Sequence, residues 1–391
     1  MVSRLGRIFL AALATALILY YHSTILTLSG LKYEASGDST TYIEVPIPVH
    51  VPASSDGVAG PDHSGGGSNF NEDKYPFQED LVEYRQPRID VAQLKKYAPH
   101  HDQGAGQEAY ATYLSTRNNS IYDPYFLSAQ QLIHRLLWAP KSRSTSYPIV
   151  IFVAPFIPQE QRDILLAQGA IVRELELVPW DPPPSEDGSV FPFGRWKDLF
   201  SKLNIWGQTD FSRILFLDLD AFPVQNIDGI FDANISPRQR CRADLLPPED
   251  QAHTAEICDY VFAGQGPTEE INVGAIVLEP NVYMHQRLLR ESQDTSKFDN
   301  KMAEQAFLNY AFGPDGPFPA SFFGREYNGN FPQEDEEGLL RIVHEKLWSL
   351  GDGSPSWTKN IYREGWDELL TLYESPQFEE LREQDGLSTS I

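Results

Sequence analysis

Two carboxylates stand at the end of one apolar run. Residues 214–217 are Ile-Leu-Phe-Leu, and Asp218 and Asp220 follow with one leucine between them. An apolar run without alternation is typical of a central parallel strand buried on both faces, and ligands bind at the carboxyl ends of such strands. Side chains two residues apart in an extended segment point the same way, so both carboxylates can hold one divalent cation. The pair predicts metal-dependent chemistry on a phosphorylated ligand.

Two other interpretations of the pair are open. At a strand end without function, the acids serve as solvated turn or helix-cap residues. Phosphatases of the haloacid dehalogenase class also carry Asp-x-Asp after an apolar strand, but they have Thr or Val two residues after the second acid. Phe222 stands there in this chain, and the motif lies deep within its domain instead of opening it. These departures argue against a phosphatase.

The charge of the chain limits its partners. Acidic residues outnumber basic ones, 55 to 31, and the formal net charge is −24. Nucleic acids and anionic membrane surfaces bind through basic patches, so we expect no nucleic-acid partner. An acidic site needs a metal ion to hold an anionic substrate, which agrees with the interpretation of the paired carboxylates.

The N-terminal part has the composition of a membrane anchor and a stem. Basic residues precede an apolar stretch of about 20 residues, enough to cross a bilayer with the N-terminus in the cytosol. We predict a cytosolic tail over 1–7, a transmembrane signal anchor over 8–28 and a flexible luminal stem over 29–106, which is rich in Gly, Pro and Ser. A cleavable signal peptide is the alternative. Residues 107–391 suffice for one globular domain.

The two cysteines, Cys241 and Cys258, are too few for a disulfide-rich scaffold or a cysteine zinc site. In a secretory compartment they would form one bridge that closes a short loop. The predicted anchor favours this bridge over two buried thiols.

Strand-like and helix-like segments alternate through the domain. Such alternation with short connections predicts an α/β domain with a mostly parallel sheet and helices on both faces. The predicted strands are 110–114, 147–153, 170–175, 214–220 and 274–278, and the predicted helices are 124–138, 158–168, 193–206, 282–291 and 301–311.

Several strings of this domain, taken in order, resemble glycogenin-like enzymes of glycosyltransferase family 8. The resemblance implies a GT-A fold, which is a single Rossmann-like α/β domain that binds a nucleotide sugar. It also implies a UDP-sugar donor, Mn²⁺ and transfer with retention at the anomeric carbon. The strings are 200–206, 214–220, 226–231, 272–280, 304–309, 327–328 and 342–344.

The resemblance assigns the metal ligands. Asp218 and Asp220 match the family's metal-binding pair, and His344 matches its third protein ligand. Imidazole and carboxylate together suit Mn²⁺, with Mg²⁺ as the alternative ion. Without the resemblance, His344 would have no assigned role.

The resemblance also assigns donor contacts. Lys202 matches a lysine near the donor, Thr112 and Tyr125 fall where the family contacts uracil, and Asn272 and Gln305 match polar residues around the transferred sugar. The nonfunctional alternatives are a solvated helix charge for Lys202 and a core tyrosine for Tyr125.

Two positions depart from the family pattern. Glu304 stands where the family has Asp, and Lys346 follows His344 without the family's spaced glycine. The resemblance therefore implies only a loose match of Lys346 to a diphosphate contact. Glu304, Gln305 and Asp299 are the candidates to line the sugar face on which retention is decided, and none of them is named as a nucleophile.

Anchor, stem and acidic domain form the layout of a type II Golgi membrane enzyme. With the resemblance, this predicts transfer from UDP-N-acetylglucosamine or UDP-glucose to a glycan or glycoprotein acceptor in the lumen. A noncatalytic glycan-binding protein with a GT-A fold is the alternative of another class. Monomer and homodimer are both open.

Overall fold

The computed structural model describes residues 76–180, 196–266, 270–298 and 302–386. The predicted cytosolic tail, the predicted anchor and most of the predicted stem lie outside these residues. No helix in the described ranges is long and apolar enough to span a bilayer.

The described residues form twelve strands. Seven of them make one sheet in the order β10-β8-β9-β4-β1-β2-β3, three make a small sheet in the order β11-β12-β5, and β6 pairs with β7. In chain order the strands are β1 (Glu108–Leu114), β2 (Ile149–Val153), β3 (Ile171–Glu174), β4 (Arg213–Leu217), β5 (Ala221–Pro223), β6 (Gln239–Arg240), β7 (Asp259–Tyr260), β8 (Phe262–Gln265), β9 (Asn272–Leu278), β10 (Ser321–Phe322), β11 (Gly329–Asn330) and β12 (Ile342–His344).

The helices lie before, between and after these strands. In the described ranges the α-helices are α1 (Val91–Leu94), α2 (Pro124–Ile133), α3 (Gln159–Ala167), α4 (Pro248–Gln251), α5 (Thr254–Ile257), α6 (Val282–Glu291), α7 (Ala303–Ala311), α8 (Ile361–Tyr373) and α9 (Pro376–Gln384). A π-helical turn, His134–Trp138, extends α2, and the 3₁₀ helices are Pro76–Gln78, Leu199–Gly207, Asp228–Phe231, Ala243–Leu245, Arg325–Tyr327, Glu334–Glu336 and Ser356–Thr358.

The large sheet is mixed but mostly parallel. β4 lies between β1, to which it is parallel, and β9, to which it is antiparallel with Leu217 opposite Ala275. Residues 214–217 of β4 are at most 1% exposed, as expected for an apolar strand covered on both faces. The sheet confirms the predicted α/β class and supports a GT-A-like fold. β9 confirms the strand predicted over 274–278, but its antiparallel direction and the whole of β8 were not predicted, because the periodicity of a sequence does not show in which direction a strand runs.

The helix predicted over 193–206 is a 3₁₀ helix, Leu199–Gly207, as far as the structure describes it. Three of its buried apolar residues, Phe200, Leu203 and Trp206, are spaced by three, and Ile205 is buried beside them. In a 3₁₀ helix every third residue lies on the same face, so this spacing buries one continuous ridge. That ridge explains why the tighter helix replaces the α-helix.

Part of the predicted stem belongs to the folded domain. Tyr84 is buried, and its ring meets Tyr362 edge-on at 5.3 Å and Trp366 at 6.0 Å between centroids. We call these three residues the aromatic brace. Further along, Arg382 donates to the carbonyl of Ala98 (2.9 Å). The stem prediction is therefore wrong for residues 76–106, since a few buried aromatic residues outweigh a composition that is polar on average.

The segment between β5 and β8 contains the disulfide Cys241–Cys258, which confirms the predicted bridge. The Cys241 amide also donates to the Cys258 carbonyl (3.0 Å) next to the β6–β7 pair. The bridge therefore closes the loop that carries the short helices α4 and α5.

The small sheet joins distant parts of the chain. β12 is antiparallel to β5, with His344 opposite Ala221, and parallel to β11, with His344 opposite Asn330. Because β5 follows the paired carboxylates directly, this register brings His344 to them.

Candidate active site

Asp218 and Asp220 lie in a tight turn between β4 and β5. The Asp218 amide donates to the carbonyl of Gly274 (2.8 Å), and the Ala221 amide donates to the Asp218 carbonyl (2.9 Å). The sequence predicted an extended segment here, and this prediction is wrong. The chain leaves the large sheet at Leu217 and enters the small sheet at Ala221, which requires the turn.

The turn still brings the predicted metal ligands together. Asp218, Asp220 and His344 each offer a ligand atom, and these atoms all lie within 4.8 Å of one another. His344 Nε2 is 3.2 Å from Asp220 Oδ1. Two carboxylates and one imidazole form a donor set that suits a divalent ion such as Mn²⁺. The residues therefore fit the ion that the sequence analysis implied.

A chain of amides orients the His344 ring. Its Nδ1 is 2.9 Å from Asn328 Oδ1, while Asn328 Nδ2 donates to Asn272 Oδ1 (3.0 Å). Since the amide nitrogen of Asn328 is engaged by Asn272, its oxygen faces the ring and Nδ1 must be the protonated nitrogen. When the imidazole is neutral, as a metal ligand must be, Nε2 keeps the lone pair that the ion needs.

Gly274 makes room for this ring. A Cβ built at Gly274 would lie 2.0 Å from His344 Cε1, which is far inside van der Waals contact. The carbonyl of the same glycine holds Asp218. One residue of β9 therefore sets both a carboxylate and the imidazole in place.

Two lysines neutralise the carboxylates. Lys202 Nζ donates to Asp218 Oδ1 and to Glu304 Oε1, both at 2.7 Å, and Lys346 Nζ donates to Asp220 Oδ2 at 2.7 Å. We call Asp218, Asp220, His344 and the two lysines the charged edge. With Glu304 included, three carboxylates face two ammonium groups, so a divalent cation would make this site formally positive. A positive site suits a diphosphate.

The pKa values of these groups follow from burial and from their partners. Burial raises the pKa of Asp220, but the charges of Lys346 and His344 outweigh it and hold that pKa well below its usual range. Burial lowers the pKa of Lys202, but Asp218 and Glu304 outweigh it and raise that pKa. The pKa of Lys346 is likewise raised, because Asp220 outweighs burial. These lysines therefore stay charged in the site.

Glu304 and Gln305 lie at the start of α7. Glu304 is buried, and burial raises its pKa more than Lys202 lowers it. Gln305 Oε1 accepts from the amide of Val273 on β9 (3.2 Å). Ala303, the first residue of α7, precedes both and has the left-handed backbone conformation (φ 49°). Asp299, the third candidate, lies outside the described residues.

The predicted uracil contacts lie on β1 and α2. The hydroxyl of Thr112 is buried and has no hydrogen-bond partner among the described residues. Tyr125 stands in the first turn of α2, and its ring meets Trp348 edge-on at 5.5 Å between centroids. An unpaired buried hydroxyl and an aromatic pair suit a planar polar base, but uracil binding stays a prediction.

Sequence reasoning missed the residues that support the metal ligands. Asn328 and Gly274 were part of the resembling strings, yet they received no role, because neither an amide nor a glycine is itself a ligand for this ion. Asn272 was expected to contact the sugar, and in the structure its oxygen accepts from Asn328 Nδ2 and from the Gly274 amide (3.0 Å). The sequence signal for Asn328 was its position as a polar residue directly after Tyr327, in the resembling string 327–328.

The chain is similar to several known proteins. It is 29% identical over 304 residues to an uncharacterised protein of Schizosaccharomyces pombe. The aligned residues cover 67% of this chain and 80% of that protein. It is 32% identical over 220 residues to galactinol synthase 1 of Arabidopsis thaliana, covering 51% of this chain and 60% of that enzyme. The chain thus spans less than two thirds of the plant enzyme. No family model matches it.

The glycosyltransferase GlyE of Streptococcus pneumoniae is a structural neighbour with a TM-score of 0.43 and 16% sequence identity, covering 73% of this chain and 66% of that one. The galactinol synthase relatives support a glycosyltransferase.

Proposed function

We propose that the protein is a metal-dependent retaining glycosyltransferase that moves a sugar from a UDP-sugar to a glycan or glycoprotein acceptor. The observation that carries this proposal is the convergence of Asp218, Asp220 and His344 beside two charged lysines. This arrangement resembles the metal site expected for glycogenin-like members of glycosyltransferase family 8.

The chain's own residues prepare the site for a diphosphate. Asp218, Asp220 and His344 would hold the ion, which when bound acts as a Lewis acid on the leaving diphosphate. Lys346 is one-third exposed at its side chain, so its ammonium can turn from Asp220 to a phosphate oxygen once the ion occupies that carboxylate. Lys202 is buried between Asp218 and Glu304 and stabilises negative charge that develops on the leaving group.

The same two lysines explain how the acids tolerate burial before a donor arrives. A buried carboxylate without a partner is strongly destabilised, and each metal-binding Asp has an ammonium group within 2.7 Å. Asp220 would then exchange its contact with Lys346 for one with the ion, while Lys202 would stay between Asp218 and Glu304.

The donor and the compartment are finer parts of the proposal. We propose UDP-N-acetylglucosamine or UDP-glucose as the donor, on the basis of the family resemblance. The plant relatives are named as synthases of galactinol, so UDP-galactose belongs in the same test. The predicted anchor supports a type II protein of the Golgi membrane with a luminal catalytic domain.

The test is a donor panel with an isosteric variant. Purified protein is assayed for hydrolysis of UDP-N-acetylglucosamine, UDP-glucose, UDP-galactose and UDP-glucuronate with Mn²⁺, with Mg²⁺ and with EDTA. We expect one donor to dominate and Asp220→Asn to lower its turnover by about a thousandfold, since the ion loses a ligand. Asp352→Asn, an exposed acid, is the matched control.

Two outcomes overturn the proposal. Turnover by Asp220→Asn equal to that of the wild type would show that this site does not do the chemistry. Wild-type protein that binds UDP with Mn²⁺ yet turns over no donor would favour the noncatalytic glycan-binding alternative.

A further inference from the structure

Phe331 is unfavourably placed in both its backbone and its side chain. It has φ 50°, which is rare for a bulky residue, and its side chain is 63% exposed. Pro332 follows and disfavours helical conformations at the preceding residue. Glycine or asparagine would relieve the backbone strain without exposing a ring. A phenylalanine here therefore needs a reason other than stability.

The surrounding loop holds this strained conformation. Gln333 Nε2 donates to the Phe331 carbonyl (2.8 Å), and Arg325 Nη2 donates to the Asn330 carbonyl (3.1 Å). Arg325 in turn forms a two-pronged ion pair with Glu336. Strain that several contacts impose on one residue is typical of a functional site.

The backbone of Phe331 lies at the same sheet edge as the metal ligands. The Phe331 amide donates to the carbonyl of His344 (3.3 Å). Asn330 pairs with His344 in the parallel β11–β12 ladder, so Phe331 lies one step beyond it, alongside the segment that leads to Lys346. Asn328, three residues earlier, orients the His344 ring.

We propose that Phe331 is an acceptor-binding residue whose ring stacks on the C–H face of the sugar ring that receives the transferred sugar. This inference rests on the proposed function and names a part of its acceptor site. The diphosphate is allotted to the charged edge and the base to Thr112 and Tyr125, which leaves the exposed ring for the acceptor. An aromatic face is a flat apolar surface that a carbohydrate ring covers well.

Binding is tested by saturation-transfer NMR on the wild type, Phe331→Gly, Phe331→Trp and Leu339→Ala. The probes are methyl α-D-mannopyranoside, methyl β-D-galactopyranoside and methyl β-D-glucopyranoside, each with and without Mn²⁺ and UDP. Leu339 is the control, because it is also an exposed apolar residue of this region at 67%. We expect the signal of at least one probe to vanish in Phe331→Gly and to persist in the other two variants.

Folding is monitored by the thermal midpoint, which we expect to be unchanged or higher in Phe331→Gly, since glycine adopts the left-handed conformation without strain. A probe signal in Phe331→Gly equal to that of the wild type overturns the inference. So does a wild type that gives no signal with any of the three probes.

Kinetics separate this inference from the proposed function. We expect Phe331→Gly to raise the KM for acceptor about tenfold while donor hydrolysis stays within about twofold of wild type. A parallel loss of hydrolysis and transfer would show that Phe331 only supports His344, and it overturns the inference. If the wild type hydrolyses no donor but its probe signal depends on Phe331, the proposed function fails and the sugar-binding role stands.

Discussion

The charged edge and the aromatic brace hold their residues by different forces. In the charged edge, buried and partly buried carboxylates and ammonium groups satisfy one another at 2.7 Å. In the aromatic brace, Tyr84, Tyr362 and Trp366 bury apolar rings edge to face. Removing charges from water costs much of what their pairing returns, whereas apolar burial is favourable by itself. The comparison indicates that the brace supplies stability and that the edge is arranged for a ligand.

The largest expected effect breaks the brace. Trp366 is almost fully buried and its Nε1 donates to the Arg85 carbonyl (3.1 Å). Trp366→Ala should lower the free energy of unfolding by about 3–5 kcal/mol through the cavity it leaves. The measurement is urea unfolding followed by fluorescence, with Mn²⁺ affinity determined in the absence of urea.

The half-buried Trp357, which donates to the Gln333 carbonyl (3.0 Å), is the matched control, and Trp357→Ala should lose less. If Trp366→Ala instead abolishes metal binding while the protein stays folded, the two regions are not separable and the comparison is wrong.

A second variant breaks the charged edge and leaves the brace intact. Gly274→Ala places a Cβ 2.0 Å from His344 Cε1, so the imidazole must move away from Asp220. Mn²⁺ affinity, measured by electron paramagnetic resonance of the free ion, should fall about 10- to 100-fold.

Gly351→Ala is the control, because a Cβ there meets nothing within 4 Å. Equal Mn²⁺ affinities of Gly274→Ala and the wild type would show that His344 is not a ligand.

A smaller effect concerns Asp123, which caps α2 between the two regions. Its carboxylate accepts from the amides of Tyr125 (3.0 Å) and Phe126 (2.9 Å), and burial raises its pKa from 3.8 to about 6. The folded state therefore retains a proton that the unfolded state loses first, so stability falls as pH rises from about 4 to about 6.

Asp123→Asn keeps the cap and removes this titration. Relative to the variant, the wild type should lose up to about 3 kcal/mol between pH 4 and pH 7, and less if the loop relaxes. Urea midpoints across this range provide the measurement, and parallel curves for the two proteins would contradict the argument.

Much of the fold was predictable because it depends on local pattern. Apolar runs gave the central strands, and the Asp-Pro pair at 123–124 predicted the start of α2. The 3₁₀ helix Leu199–Gly207, the antiparallel direction of β9 and the packed segment 76–106 escaped prediction. Each of these depends on which surface a segment meets, and composition within a window does not contain that information.

The candidate site was likewise predicted only in part. Residue types and the family resemblance singled out Asp218, Asp220, His344, Lys202 and Lys346, and the structure brings all five together. Asn272 and Gln305 proved to be hydrogen-bonded to parts of the framework around β9. Their contacts with a sugar remain a prediction, as do those of Thr112 and Tyr125 with uracil.

By itself the sequence determined that two acids end a buried strand and that a histidine and two lysines are available to them. Only the tertiary structure decided that the acids lie in a turn, that Gly274 leaves space for the imidazole and that Asn328 sets its tautomer. The physical reason is that a strand requires only neighbouring residues of the right type. A metal site requires atoms from the β4–β5 turn, from β9, from the residue before β11 and from β12 within a few ångströms, which only packing can provide.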